Sequence, residues 1–172
     1  MKKWIAIALV SLTFAATAQD MAASDAQLAE WGDALMQNEQ LGPFRLDMSA
    51  EQVKKASTCA FQYGEQVEET ATGLFMVDWT SPGCGITLAM GSKTAQGRQT
   101  IQRMSMGEKS QFHTQRHIGI GSQMADVMAA YGRERSPMSS DETFIAGSIY
   151  GGMIFSFTNG KVSNIFLGAA AE

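Results

Sequence analysis

Residues 44–56 read FRLDMSAEQVKKA and residues 118–130 read IGIGSQMADVMAA, a similar pattern 74 positions apart. Phe44, Leu46, Val53 and Ala56 fall in register with Ile118, Ile120, Val127 and Ala130. Apolar character recurring at fixed offsets marks an internal duplication. In each copy two alternating apolar residues lead into a capped helix. Ser49 can accept a backbone N–H while Gln52, three residues on, reaches back, which is a capping box. In the second copy Ser122 or Gln123 starts the helix, and Met124, Val127, Met128 and Tyr131 form an i, i+3, i+4, i+7 stripe expected to face the core. Gly132 stands where a left-handed residue commonly stops a helix, and Pro137 prevents resumption.

After each helix the period changes to two. Phe75, Val77 and Trp79 alternate with Leu74, Met76 and Asp78; a Ser81-Pro82-Gly83 turn follows; Ile86, Leu88 and Met90 then alternate with Thr87 and Ala89. A third strand is expected near Thr100 to Met106. The second copy offers Thr143 to Tyr150, then Met153, Phe155 and Phe157, then Val162 to Leu167. Asn159-Gly160 between the last two predicts a type I′ hairpin, whose central residues both need positive φ. The expected fold class is therefore α+β, with two tandem repeats, each a helix packed on an antiparallel sheet of about three to four strands. Its divisions are a signal peptide over residues 1–18 and an N-terminal helical segment over 19–43, in which Leu28, Trp31 and Leu35 form a stripe behind Ser24. A first repeat over 44–106, a linker over 107–116 and a second repeat over 117–172 follow.

Lys2 and Lys3, the apolar run from Trp4 to Phe14 and Ala16-Thr17-Ala18 before Gln19 compose a secretory leader. Cleavage near Ala18 and Gln19 leaves 154 residues in a periplasmic or secreted chain with no transmembrane anchor. In an oxidising compartment Cys59 and Cys84, the only cysteines, are expected to form a disulfide. Charge is unevenly spread: residues 19–92 hold eleven acids against Arg45, Lys54 and Lys55, whereas residues 93–117 hold Lys93, Arg98, Arg103, Lys109 and Arg116 against Glu108. Those five bases are candidate contacts to an anionic membrane surface. No aromatic residues interleave with them as on a nucleic-acid platform, so no nucleic-acid partner is expected.

Motifs for chemistry are missing. No G-x-S-x-G, S-x-x-K or H-E-x-x-H occurs, and Gly119-Ile120-Gly121 lacks the third glycine of a dinucleotide loop. His113 and His117 are the only histidines and lie in a stretch read as loop passing into strand, which does not suit a metal pair, and a Cys-His nucleophile would have to use Cys59 or Cys84, both expected to be oxidised. Glu68 and Glu69 read as a solvated loop rather than an acid/base pair. No catalytic residue, metal or cofactor is expected. The candidate partner-binding residues lie instead on the sheet face turned away from the helix: Met76, Asp78, Thr87, Ala89 and Ser156.

The stretch FRLDMSAEQVKKASTC, residues 44–59, with its extended residue pair, Met-Ser turn, capped helix holding Gln52-Val53 and following cysteine, resembles the repeat of the β-lactamase inhibitory protein type. A similar repeat serves singly in small outer-membrane assembly lipoproteins of the BamE (SmpA/OmlA) type, and IGIGSQMADVMAAYG matches the looser form. The resemblance implies tandem helix-plus-sheet units with a concave binding surface. Together these readings lead to an exported, non-enzymatic binding protein whose sheet meets a protein partner, an inhibitor of an envelope or foreign hydrolase among the options. The alternatives are an accessory factor in envelope or outer-membrane maturation and a small envelope hydrolase with an unrecognised site.

Overall fold

The computed structural model describes residues 23–171; the expected leader lies outside the described residues. Helix α1 spans Asp25–Asn38, and Ser24 Oγ caps it by accepting the Gln27 N–H at 3.2 Å. Leu28, Gly32 and Leu35 are its buried positions, one helical stripe. Helix α2 spans Ala50–Ala56 with the full Ser49/Gln52 capping box. Helix α3 spans Met124–Tyr131, where Asp126 Oδ2 accepts the Gln123 backbone N–H at 3.0 Å. None of the described helices is long and apolar enough to cross a membrane.

The strands are β1 (Gln62–Tyr63), β2 (Val67–Glu69), β3 (Leu74–Ser81), β4 (Ile86–Ser92), β5 (Thr100–Met106), β6 (Thr143–Ser148), β7 (Gly151–Thr158) and β8 (Lys161–Gly168). Asn159 and Gly160 carry φ of 52° and 72°, so the turn between β7 and β8 has the two positive-φ residues expected of it. All eight strands join one antiparallel sheet, ordered β1-β3-β4-β5-β8-β7-β6, with β2 also paired to β3.

This overturns the expectation of two helix-on-sheet repeats. Met104 pairs with Leu167, Ser105 with Phe166 and Met106 with Ile165, which carries the ladder from β5 straight into β8. Because Met104 and Met106 point to the same side as Ile165 and Leu167, all four enter one core with Leu88, Met90, Phe155 and Met153. Two separate cores would also need larger helices. Of the seven residues of α2 only Val53 is buried, and of the eight of α3 only Val127 and Tyr131.

What recurs 74 residues apart is a smaller element. Asp47 and Gly121 both adopt positive φ, at 63° and 88°. The Asp47 N–H then donates to Ile101 O and the Gly121 N–H to Val162 O, while Ile101 N–H returns to Met48 O and Val162 N–H to Ser122 O. Each helix start is thereby clipped to the head of a strand, α2 to β5 and α3 to β8. Val53 and Val127, both fully buried, anchor the two clips, and burying such a side chain stabilises by about 2 kcal/mol.

Two local expectations are also corrected. Met128 is 38% exposed and does not belong to the core stripe. Gly132 has φ −60° and continues the chain into a 3-10 turn, Gly132–Glu134, instead of ending the helix in the left-handed region. Successive residues turn by about 100° around a helix, so Met128 stands at the margin of the stripe centred on Val127 and Tyr131, on the side open to solvent.

Neither lateral edge of the sheet is bare. Beside β6 the chain returns so that Arg135 bridges Ala146, Ser136 N–H donates to Ile145 O and Ser140 N–H to Thr143 O. Beside β3 lie only the two- and three-residue strands β1 and β2.

Candidate functional site

Side chains alternate across a sheet, so once the core face is known the other face can be read from the register. Pairing runs Thr80–Thr87–Ser105–Phe166–Ile154–Ile145 across β3, β4, β5, β8, β7 and β6. That row lies on the side away from Leu88, Met104 and Leu167. Hydroxyls occupy one end and apolar side chains the other, with Phe166 and Ile154 half-buried and Ile145 buried. A neighbouring row runs Asp78–Ala89–Arg103, and Asn164, Ser156 and Thr143 align on the far side of the first.

The five candidate partner-binding residues thus share one face, but not one environment. Asp78 is exposed and Thr87 and Ser156 are half-buried. Met76 and Ala89 are buried, at 4% and 6% exposure. Arg103 stands opposite Ala89 on β5, and its Nη2 reaches Glu69 Oε1 at 2.7 Å on β2, while the Gln102 and Met76 side chains both lie over Gly91 of β4. The Arg103 hydrogen bond holds the Glu69 carboxyl below its usual pKa, against the opposing effect of burial, and Thr72 Oγ1 donates to the same carboxylate at 2.9 Å. A solvated loop was expected at Glu68 and Glu69; they stand instead in β2, paired with Phe75 and Leu74 of β3. Beyond it, Glu69, Arg103 and Phe166 line a cleft of about 370 Å³ with Ala169, Ala170 and Ala171. The Ala170 and Ala171 N–H groups both donate to Ile149 O, which fixes that wall.

The candidate basic residues do not share a surface. Lys93 and Arg98 are exposed in the turn before β5, and Lys109 is exposed beyond its other end. Arg103 is tied to Glu69. Arg116 sits between two carboxylates, its Nε 3.0 Å from Glu39 Oε1 and its Nη1 3.2 Å from Glu134 Oε2, with its guanidinium 4.5 Å from the centre of the Tyr131 ring. Burial alone lowers the Arg116 pKa, but the hydrogen bonds and charge of Glu134, with the charge of Glu39, more than offset it and raise the value. Burial pushes the Tyr131 phenol up although its hydroxyl bonds Thr114 Oγ1 at 2.8 Å. This cluster fastens the end of α1 to the 114–116 loop and to the 3-10 turn after α3.

Cys59 and Cys84 form a disulfide with Cα atoms 6.0 Å apart. It ties the chain after α2 to the turn before β4. His113 bridges Gly119 and His117 has φ 64° in the intervening turn, so the two do not share a helical face. Among the described residues no group of three or more His, Cys, Asp or Glu is placed to hold a metal ion. Phe166 and Ile154 were not singled out from the sequence, although the alternation Ile165-Phe166-Leu167 carries the signal: with 165 and 167 inward, 166 faces out. Comparison with protein-family models, curated proteins and solved structures gives no match.

Proposed function

We propose that this chain is an exported, non-enzymatic binding protein that offers the open face of its sheet to a protein partner, inhibition of a hydrolase being one form such binding takes. The observation that supports this reading is the row Thr80, Thr87, Ser105, Phe166 and Ile154. It is a five-strand-wide row on the face turned away from the core that Leu35, Val53 and Val127 of the three helices enter, with half-buried apolar side chains beside small hydroxyls. Such a surface suits a partner anchored by a few large side chains, and a paired sheet needs little ordering on binding. The leader-like residues 1–18 and the similarity of residues 44–59 to the inhibitory-protein repeat point the same way.

The test is affinity capture from a periplasmic extract with the parent chain and with Thr87→Arg, which places a long cation within the hydroxyl end of the row. A specific partner retained by the parent and at least tenfold less by Thr87→Arg supports the reading. Equal retention by both, or by neither, removes it.

A further inference from the structure

A second surface lies on the other side of the molecule, between α1 and the segment after α3. It is a groove of about 860 Å³ lined on one side by Ser24, Gln27 and Trp31 and on the other by Met128, Arg133 and Arg135. Both walls are anchored on the β6–β7 hairpin. Gly32 of α1 packs directly on Gly151, and Arg135 and Ser136 are bonded through the backbone to Ala146 and Ile145. The groove is therefore formed in advance of any ligand.

Arg133 and Arg135 are exposed, and neither has an ion-pair partner among the described residues. Glu134, the acid between them, is turned the opposite way and engaged by Arg116 at 3.2 and 3.3 Å. Two uncompensated guanidinium groups thus face a half-buried indole across a trench. Guanidinium favours bidentate pairing with carboxylate, and an indole face favours an apolar or cationic group. We propose that this groove binds an extended acidic peptide segment, with carboxylates on Arg133 and Arg135 and an apolar side chain against Trp31 and Met128. A flat anionic lipid surface fits less well. Asp25, Glu30 and Asp33 are exposed along α1 and would oppose a charged plane, whereas a strand lying in the trench meets the arginines alone.

The test uses the purified chain and a fluorescein-labelled peptide of alternating glutamate and leucine, with the glutamine–leucine peptide as control, read by anisotropy. The acidic peptide should bind, bind at least tenfold less to the Arg133→Gln/Arg135→Gln double variant, and weaken as salt is raised. Both arginines are exposed, so the double variant should melt with the parent; Trp31→Phe, which keeps an aromatic ring, should retain most of the binding. Absence of binding, equal binding of the glutamine peptide, or an unchanged double variant overturns the proposal. Sedimentation with phosphatidylglycerol vesicles without peptide binding overturns it in favour of a lipid surface. Thr87→Arg, on the sheet's opposite face, should leave peptide binding intact, so failure here and failure of the open-face reading are separable.

Discussion

The two flanks of the sheet carry the same clip and are locked by different means. On the β1–β5 flank, α2 is seven residues long with a single buried side chain, and the flank is held by the Cys59–Cys84 disulfide. An aromatic run reinforces it, from Phe112 through Phe44 and Phe61 to Trp79 and Tyr63, with successive centroids 4.9 to 6.1 Å apart. On the β6–β8 flank there is no disulfide. There α1 lies on the β6–β7 hairpin so closely that a Cβ on Gly32 would collide with Gly151 O, and Tyr131 packs on Phe155 at 5.0 Å. A short helix plus a covalent bond on one side is matched by a longer helix in backbone contact on the other. Local sequence similarity therefore predicts how a chain enters a sheet better than how the surrounding layer is stabilised.

The largest test of this contrast is Cys59→Ser/Cys84→Ser. A closed loop with a sequence separation of 25 is worth about 3 to 4 kcal/mol in the chain-entropy model. Denaturant melts should show a loss of that size, with hydrogen-exchange protection falling first in residues 57–63 and 82–86 while β6–β8 keep theirs. Uniform loss over both flanks would show that the disulfide secures the whole sheet.

Gly32→Ala is the mirror experiment. The clash is with backbone that cannot rotate away, so a loss of about 2 to 3 kcal/mol is expected, concentrated in α1, β6 and β7. An unchanged melting temperature would mean that α1 does not lock that flank.

Tyr131→Phe should cost about 1 to 2 kcal/mol, because the buried Thr114 Oγ1 loses the Tyr131 hydroxyl and keeps the Ile118 N–H. The same variant has a pH signature. With the folded phenol pushed above its ordinary 10.0, the unfolded chain releases its proton first, so stability declines as pH rises past about 10. The phenylalanine variant should decline less over that range.

The smallest effect is expected from Glu69→Gln. The folded carboxyl titrates below 4.5, so the contribution of the ion pair is complete above that pH and disappears as pH falls through the lower folded value. Partial exposure limits it to at most about 1 kcal/mol. Comparing urea midpoints at pH 7 and pH 3 for parent and variant measures it: the variant should lose less on acidification.

Features set by neighbours in the chain were legible before the structure was known. The caps at Ser24 and Ser49, the β3–β4 hairpin and the Asn159-Gly160 turn depend on residues within a few positions of one another. The union of the flanks was not, because three residue pairs about 60 positions apart make it, and either of two isolated sheets would show the same alternation. Likewise Glu69 has an ordinary sequence context; only Arg103, 34 residues away, makes it a structural residue. The candidate face was half legible. Alternation assigned Met76, Asp78, Thr87, Ala89 and Ser156 to it, but nothing local shows that Met76 and Ala89 are buried there while Phe166 is only half-buried.

The guarded flanks of the sheet bear on behaviour in crowded solution. Growth of a fibril by strand addition needs a long row of unpaired N–H and C=O groups at a lateral margin. Here one margin already holds the returning 135–140 segment, and the other ends in strands of two and three residues with Glu65 and Glu68 beside them. The molecule can leave a broad face open for recognition while giving a second copy no strand-length template on which to polymerise.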